Sequence, residues 1–123
     1  MSVSSAEHVV MKALWRRQPR SADEIVAEVG KDQDWADATV RTLLNRLLNK
    51  GAIAAEKDGR RYLYRAVLKQ DDYVEEQSRS LLDRFFDGRL SSMVSHFSAR
   101  EQLSSDEIAE LKRLIAELDD GQQ

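Results

Sequence analysis

Cysteine is absent from this sequence, and histidine occurs only twice. Without thiols there can be no disulfide bond, no thiol nucleophile and no cysteine-based metal site. His8 and His96 lie too far apart in the chain to suggest a metal site, and there is no glycine-rich phosphate loop. We therefore expect no metal and no cofactor, and the sequence contains no group of residues that indicates an enzyme.

Long apolar runs are missing as well. No stretch approaches the roughly 20 residues that an α-helix needs to cross a bilayer. The first ten residues, MSVSSAEHVV, lack the basic segment and the apolar core of a secretory signal. These absences predict a cytoplasmic protein that does not insert into membranes.

Acidic residues are scarce in one part of the chain only. The net charge is −3, but residues 1–67 contain 12 Lys and Arg against 9 Asp and Glu, whereas residues 68–123 contain 7 against 13. The positive charge is densest in residues 38–67. Such an asymmetry between halves indicates that the first half binds a polyanion.

Three serine-led segments predict the starts of helices. They are SSAE at 4–7, SADE at 21–24 and SSDE at 104–107. In each, a serine can cap the first turn while a glutamate three residues later reaches back to the cap. The first of these helices should run to about Arg17, before the only proline.

Glycines predict the ends of the next two helices. The second helix should span Ala22–Val29 and be closed by Gly30, and the third should span residues 39–50 and end at Gly51. The connection between them is polar except for Trp35, which we interpret as a packing anchor.

The periodicity changes after the third helix. Residues 52–56 and 60–67 alternate apolar and polar side chains, and Lys-Asp-Gly joins them. Asp-Gly between two strand-like segments is a strong hairpin signal. An isolated hairpin is only marginally stable, so this one must pack on the helices. Three helices followed by a hairpin predict a winged helix-turn-helix.

The third helix has two very different faces. One is an apolar stripe at helical spacing, formed by Val40, Leu43, Leu44, Leu47 and Leu48. The opposite face holds Thr, Asn, Arg and Lys but no acidic residue, which predicts a recognition helix for the DNA major groove. The alternative is a solvated helix that happens to lack acid. The predicted base and phosphate ligands on this helix are Thr39, Arg41, Thr42, Asn45, Arg46 and Lys50.

The predicted hairpin tip carries Lys57, Arg60 and Arg61. We interpret the hairpin as a wing whose cations contact the DNA backbone or minor groove. The alternative is solubilising charge at a turn.

The rest of the chain is again helical in pattern. Helices are expected to about Asp87, over residues 89–97 and from Ser104 onward, with a frayed tail over 119–123. A lobe of roughly 50 residues is too small to bury its own apolar face well, so its natural partner is a second copy of itself. The predicted dimerisation residues are Leu81, Phe85, Ile108, Leu111, Leu114, Ile115 and Leu118.

The predicted fold is therefore mainly α with a small β-hairpin. Residues 1–68 would form a winged-helix DNA-binding domain, and residues 69–123 a three-helix dimerisation domain.

The segments SSAEHVVMKALW, DWADATVRTLLNRLLNKGAI and LSSDEIAELKRLI make the chain resemble the penicillinase-repressor family of the BlaI and MecI type. The resemblance runs nearly end to end and is most specific from Trp35 to Gly51. It implies a homodimer that binds a palindromic double-stranded DNA operator and represses transcription, with β-lactam-resistance genes among the targets. Many members respond to a membrane-bound sensor metalloprotease, and repression ends when the C-terminal lobe is cut.

Three features depart from the family pattern. His8 stands where many members have Trp, and we interpret it as a hydrogen-bonded structural histidine. The cleavage bond would fall between His96 and Phe97, where the family has Asn–Phe, so residues 88–103 are either a cleavable segment or simply a packed helix. The cysteine-rich tail of the copper-sensing branch is absent, which argues against a copper response.

Two function classes follow from these observations. The first is the dimeric repressor, and the second is a winged-helix protein–protein interaction module without specific DNA binding. A protein-binding surface would be expected to expose aromatic or Met side chains near its centre. Residues 38–50 contain none, which favours the repressor.

Overall fold

A computed structural model describes residues 1–121, and within that range the chain forms helices and one small antiparallel sheet. The chain divides into two compact units, Met1–Val74 and a second unit that begins at Glu75. The roles predicted for two domains divided at residue 68 stay predictions. The elements, in chain order, are α1 Ser5–Arg16, β1 Arg20–Ser21, α2 Ala22–Gln33, α3 Asp37–Lys50, β2 Ile53–Asp58, β3 Arg61–Ala66, α4 Gln70–Phe85, α5 Leu90–Ala99 and α6 Ser105–Gly121.

The first two helices begin as the sequence predicts. Ser4 Oγ accepts a hydrogen bond from the backbone N–H of Glu7, and the Glu7 carboxylate accepts one from the N–H of Ser4. Ser21 and Glu24 form the same reciprocal pair at the start of α2. Each box satisfies N–H groups that a helix start leaves without partners, which fixes where the helix begins.

The predicted end of α2 at Gly30 is wrong. The helix continues to Gln33, and Asp34 forms the left-handed cap with φ 57°. Gly30 serves a close approach instead, because a Cβ there would lie 3.1 Å from the carbonyl oxygen of Trp35. The N–H of Trp35 donates to the Gly30 carbonyl at 3.1 Å, so the chain folds back tightly on this glycine.

The predicted hairpin is present, but it belongs to a three-stranded sheet of order β1–β3–β2. In the hairpin Ile53 pairs with Ala66 and Asp58 with Arg61, so Gly59 and Arg60 form the turn. Gly59 has φ 64°, a left-handed conformation that glycine adopts without steric cost. Strand β1 is not predicted from the sequence, because two residues are too few to show a period.

The core of the first unit lies between α1, α2, α3 and the sheet. Met11 and Leu14 of α1, Ile25 of α2 and the α3 pair Leu44 and Leu47 are all fully or almost fully buried. The predicted apolar stripe of α3 therefore faces this core, with Leu48 at its edge. Trp35 packs against the core between α2 and α3, as predicted.

His8 differs from its predicted role. In the described part of the chain its ring has aromatic contacts in place of a side-chain hydrogen bond: the centroids of Tyr73 and Trp15 lie 4.9 and 5.8 Å away. Burial, aided by the positive charge of Lys12, lowers the pKa of His8. The indole N–H of Trp15 donates to the Leu68 carbonyl at 2.9 Å.

The second unit contains the rest of α4 together with α5 and α6. After α4 ends, Asp87 and Gly88 adopt left-handed conformations, as expected for the predicted break at Gly88. Helix α6 extends to Gly121, so fraying from residue 119 is not seen, and Gln122 and Gln123 lie outside the described residues. None of residues 75–121 is buried.

Candidate nucleic-acid interface

The packing of α3 determines which of its side chains remain free. Its apolar side is buried in the core, and the opposite side, which we call the α3 face, consists of the exposed residues Thr39, Arg41, Thr42, Asn45, Arg46, Asn49 and Lys50. The helix ends at Gly51, whose left-handed conformation (φ 78°) lets its N–H bond back to the last turn. The only acidic residue of the helix, Asp37, lies at its first position.

The centre of the α3 face has unused hydrogen-bonding capacity. Within residues 1–121 the side chains of Thr39, Thr42, Asn45 and Arg46 make no described hydrogen bond or ion pair. Guanidinium and amide groups are strong donors, and Asn also offers an acceptor. This part of the surface can therefore bond to an external partner without first breaking a bond inside the protein.

Arg41 has a partner on another element. Its Nη2 donates to Asp23 Oδ1 of α2 at 2.5 Å, and the side chain of Asp23 is 87% exposed. The pair lies in a groove of about 490 Å³ that Arg61, Tyr62 and other residues of α2 and β3 also line. The groove thus lies between the first turn of α2, the α3 face and strand β3 of the hairpin.

Lys50 is held at the far end of the α3 face. Its Nζ donates to Glu7 Oε1 at 2.6 Å and to the Ser2 carbonyl at 2.9 Å. Glu7 is almost fully buried, and burial opposes its ionisation, but the bonds from Lys50 and Ser4 outweigh that effect and lower its pKa. Lys50 therefore compensates a buried carboxylate, and its predicted contact with phosphate stays a prediction.

The predicted wing carries two cations that have no partner among residues 1–121. Lys57 and Arg60 are exposed, and the described bonds of residues 1–121 include none from their side chains. Arg61 Nη2 lies 3.4 Å from Asp58 Oδ2, across the hairpin turn. On the same hairpin Arg65 is paired with Glu56 at 3.2 Å.

The predicted dimerisation residues lie on exposed helix faces in the second unit. Phe85 and Leu118 are each 65% exposed and Ile115 is 56% exposed, which is unusual for large apolar side chains. A groove of about 670 Å³ runs between α5 and α6 and includes Leu111, Leu114, Ile115 and Leu118. A second groove, of about 380 Å³, includes Leu81 and Phe85 together with α5 residues.

The predicted cleavage site lies inside α5. The His96 ring is 5.8 Å from that of Phe86 and 5.3 Å from that of Phe97, measured between centroids. A protease needs an extended chain, so cutting between His96 and Phe97 would require α5 to open locally. Cleavage stays a prediction.

Two residues that line the groove beside the α3 face were not singled out from the sequence. In the sequence, Asp23 has the pattern of an ordinary acidic residue in the first turn of a helix. Tyr62, which is 53% exposed, has the pattern of one residue in an alternating strand. The spacing of Tyr62 and Tyr64 is a signal that could have placed both rings on one side of β3. Among residues 1–121 there is no cluster of His, Asp and Glu suited to a metal ion, and no helix is long and apolar enough to span a membrane.

Comparison with known proteins gives a consistent result. Residues 3–117 match the family described as penicillinase repressor. The penicillinase repressor of Bacillus licheniformis is 39% identical over 115 residues, covering 94% of this chain and 90% of that protein. The methicillin resistance regulatory protein MecI of Mammaliicoccus sciuri is 34% identical over 113 residues, covering 92% of each chain.

A solved structure is similar to part of this chain. It is the Bacillus licheniformis BlaI monomeric form in complex with the blaP half-operator, which is 34% identical, with a TM-score of 0.54. The similarity covers 59% of this chain and 89% of that one. This similarity confirms the predicted winged-helix fold, and together the matches show that the chain is a member of the penicillinase repressor family.

Proposed function

We propose that this protein is a homodimeric, sequence-specific DNA-binding transcriptional repressor that acts in the cytoplasm. The observation that carries the proposal is the α3 face, a helix surface with free Thr, Asn and Arg side chains and no acid beyond its first residue. The relative whose structure contains a half-operator is similar to this chain over 59% of its length, with a TM-score of 0.54. A helix of this kind fits the major groove, where its side chains meet base edges.

Each part of the interface has a distinct role in this proposal. Arg46 and Asn45 lie at the centre of the α3 face and read bases, because Arg pairs with guanine and Asn with adenine. The methyl groups of Thr39 and Thr42 contact thymine methyls. Lys57 and Arg60, which are free on the hairpin, bind phosphates and contribute affinity without sequence preference.

The second unit supports the homodimer. No residue in 75–121 is buried, while Phe85, Ile115 and Leu118 are among the large apolar residues exposed there. Exposure of so much apolar surface to water is unfavourable, and a second copy of the chain, related by a two-fold axis, would bury that surface. A two-fold dimer presents two copies of α3, so we expect a palindromic operator with half-sites about 34–36 Å apart or a multiple of that.

The target genes and the inducing event are inferred from the relatives of this chain. Proteins named penicillinase repressor and methicillin resistance regulatory protein are similar over almost the whole chain. We therefore infer that the target genes include β-lactam-resistance or related genes. A membrane-bound sensor metalloprotease that cuts at His96–Phe97 would detach α6 and weaken the dimer.

The proposal can be tested by selection from a pool of DNA duplexes with a randomised central segment. Wild-type protein should enrich one sequence in two inverted copies, and that sequence should occur upstream of the genes it represses. Affinity for the enriched duplex and for a scrambled duplex is then measured by gel shift across a range of salt concentrations. Binding that is equally weak for both would contradict specific recognition and favour a protein-interaction module.

A further inference from the structure

The α3 face contains two arginines in different states. Arg41 Nη2 is bonded to Asp23 Oδ1 at 2.5 Å, whereas Arg46 makes no described bond within residues 1–121. Asp23 lies in the first turn of α2, so the bond connects α3 to α2 through two residues that are 18 positions apart in sequence. One of the two predicted base-reading arginines is therefore held in place before DNA arrives.

Fold stability does not account for this pair. The side chains of Asp23 and Arg41 are 87% and 47% exposed, and exposed ion pairs contribute little to stability. The carboxylate does restrict Arg41, which is otherwise a long side chain with many rotamers. A guanidinium has several donors, and a single carboxylate oxygen leaves most of them available to another acceptor.

The surroundings of the Arg41–Asp23 pair determine which external acceptor the remaining donors of Arg41 favour. The groove of about 490 Å³ beside the pair is bordered by α2, Arg41 and the wing residues Arg61 and Tyr62. A DNA backbone entering this groove would bring its phosphates close to the carboxylate of Asp23, and like charges repel each other. A base edge carries no net charge, and guanine presents two acceptors that suit an arginine.

We propose that Asp23 is a specificity-determining residue, which positions Arg41 so that its remaining donors meet a guanine edge and not a phosphate. This inference rests on the proposed function, since it assumes that the α3 face enters the major groove. Under this inference α2 contributes to sequence recognition, because its residue Asp23 positions Arg41 of α3.

The test compares base preference in variants of the full-length protein. The probe is the duplex that wild-type protein enriches from the randomised pool, together with every single-base substitution of it. The variants are Asp23→Ala, Asp23→Asn, Arg41→Ala and the double variant Asp23→Ala/Arg41→Ala. Asp32→Ala is the matched control, because it removes the same group from an exposed position in the last turn of the same helix.

Arg41→Ala should reduce discrimination at one base pair of each half-site by about five-fold or more, the usual effect of losing a bidentate contact. Asp23→Ala should reduce discrimination at that same base pair, while affinity for scrambled duplex stays equal or rises and depends more steeply on salt. Asp23→Asn keeps an acceptor oxygen and should restore part of the preference. In the double variant the loss should equal that of Arg41→Ala alone.

Unchanged base preference in Asp23→Ala would overturn the inference, as would a loss no larger than that of Asp32→Ala. A further loss when Asp23→Ala is added to Arg41→Ala would also overturn it, because Asp23 would then act through another group. Failure of the proposed function gives a different result, since wild-type protein would enrich no sequence at all. An enriched wild-type sequence with normal preference in Asp23→Ala contradicts only the positioning role.

Discussion

Glu7 belongs to the capping box of α1, and its carboxylate also accepts the Lys50 bond at the end of α3. The carboxylate is almost completely buried, so removal of Lys50 would leave a charged group with too few partners. A single residue thus links the start of α1 to the end of the α3 face. Local capping and long-range positioning depend on the same side chain.

The lowered pKa of Glu7 predicts how stability changes with pH. A carboxyl whose pKa is lower in the folded than in the unfolded state stabilises the fold above its unfolded pKa of about 4.3. That contribution is lost as the pH falls through the lower, folded value. Glu7→Gln, which keeps the cap acceptor, should therefore reduce the free energy of unfolding at neutral pH, and the difference from wild type should shrink below about pH 4.3. Urea denaturation at several pH values measures this.

Glu56→Gln is the control for this experiment. Glu56 is exposed on β2 and its only described ion pair within residues 1–121 is with Arg65, so its replacement should change stability little at any pH. A Glu7→Gln difference that stays constant from neutral to acidic pH would contradict the assigned role of the ionised carboxylate.

Arg46 and Asn45 carry the second residue-scale prediction. Arg46→Ala or Asn45→Ala should weaken binding to the enriched duplex by about 1–3 kcal/mol and relax the preference at individual base pairs. Because both side chains are exposed and have no hydrogen-bond or ion-pair partner in the described part of the chain, folding should be unaffected. Gel-shift titration with substituted duplexes measures the effect, and Arg79→Ala on α4 is the control. Intact specific affinity in both variants would refute the recognition-helix assignment.

At the scale of the elements, the proposal assigns affinity to the hairpin and sequence specificity to α3. Arg60→Ala should weaken binding to all duplexes by a similar factor and reduce the salt dependence by about one phosphate contact. Arg65→Ala, on the same hairpin, should change the salt dependence less, because Arg65 is already paired with Glu56. Plotting the logarithm of affinity against that of salt concentration gives both slopes. Equal slopes for wild type and Arg60→Ala would mean that the wing does not touch DNA.

Helix α5 carries a prediction about induction. Cutting between His96 and Phe97 would separate α4 from α6, so dimer and operator affinity should both fall. Mass spectrometry of the protein during co-expression with a cognate sensor protease detects the two fragments. An intact chain while the target genes are expressed would contradict cleavage and leave α5 as a purely structural helix.

For the molecule as a whole, the proposal predicts that operator affinity depends on dimerisation, because each half-site alone would offer few contacts. Leu118→Asp should yield monomers and a steep loss of operator binding, since it places a carboxylate in the apolar face of α6. Leu118 is 65% exposed within one chain, so the change should leave the fold of the chain intact. Sedimentation at micromolar concentration measures the oligomeric state.

Ala109→Asp provides the matched control on the opposite side of α6. Helical spacing places Ala109 about half a turn from Leu118, on the same side as Arg113. The control should remain dimeric and bind the operator normally. A stable wild-type monomer at micromolar concentration would remove the dimer model altogether.

Much of the fold could be predicted from the sequence because it depends on local rules. Ser4 and Ser21 determine where α1 and α2 begin, and Gly51 determines where α3 ends, since each acts on residues within one turn. The change from helical to alternating periodicity predicts the hairpin. The absence of acid on the α3 face could likewise be read directly, because helical spacing alone places those residues together.

Only the tertiary structure decided the remaining features, because they join residues that are distant in sequence. Strand β1 exists because Arg20 and Ser21 lie beside Tyr64 and Leu63, and two residues carry no period of their own. Gly30 is interior to α2 because the chain returns at Trp35, which no local signal reveals. The Arg41–Asp23 and Lys50–Glu7 bonds span 18 and 43 positions. Their existence depends on how α1, α2 and α3 pack around the apolar core, so the sequence predicts the chemistry of the α3 face, whereas packing determines which of its cations are free.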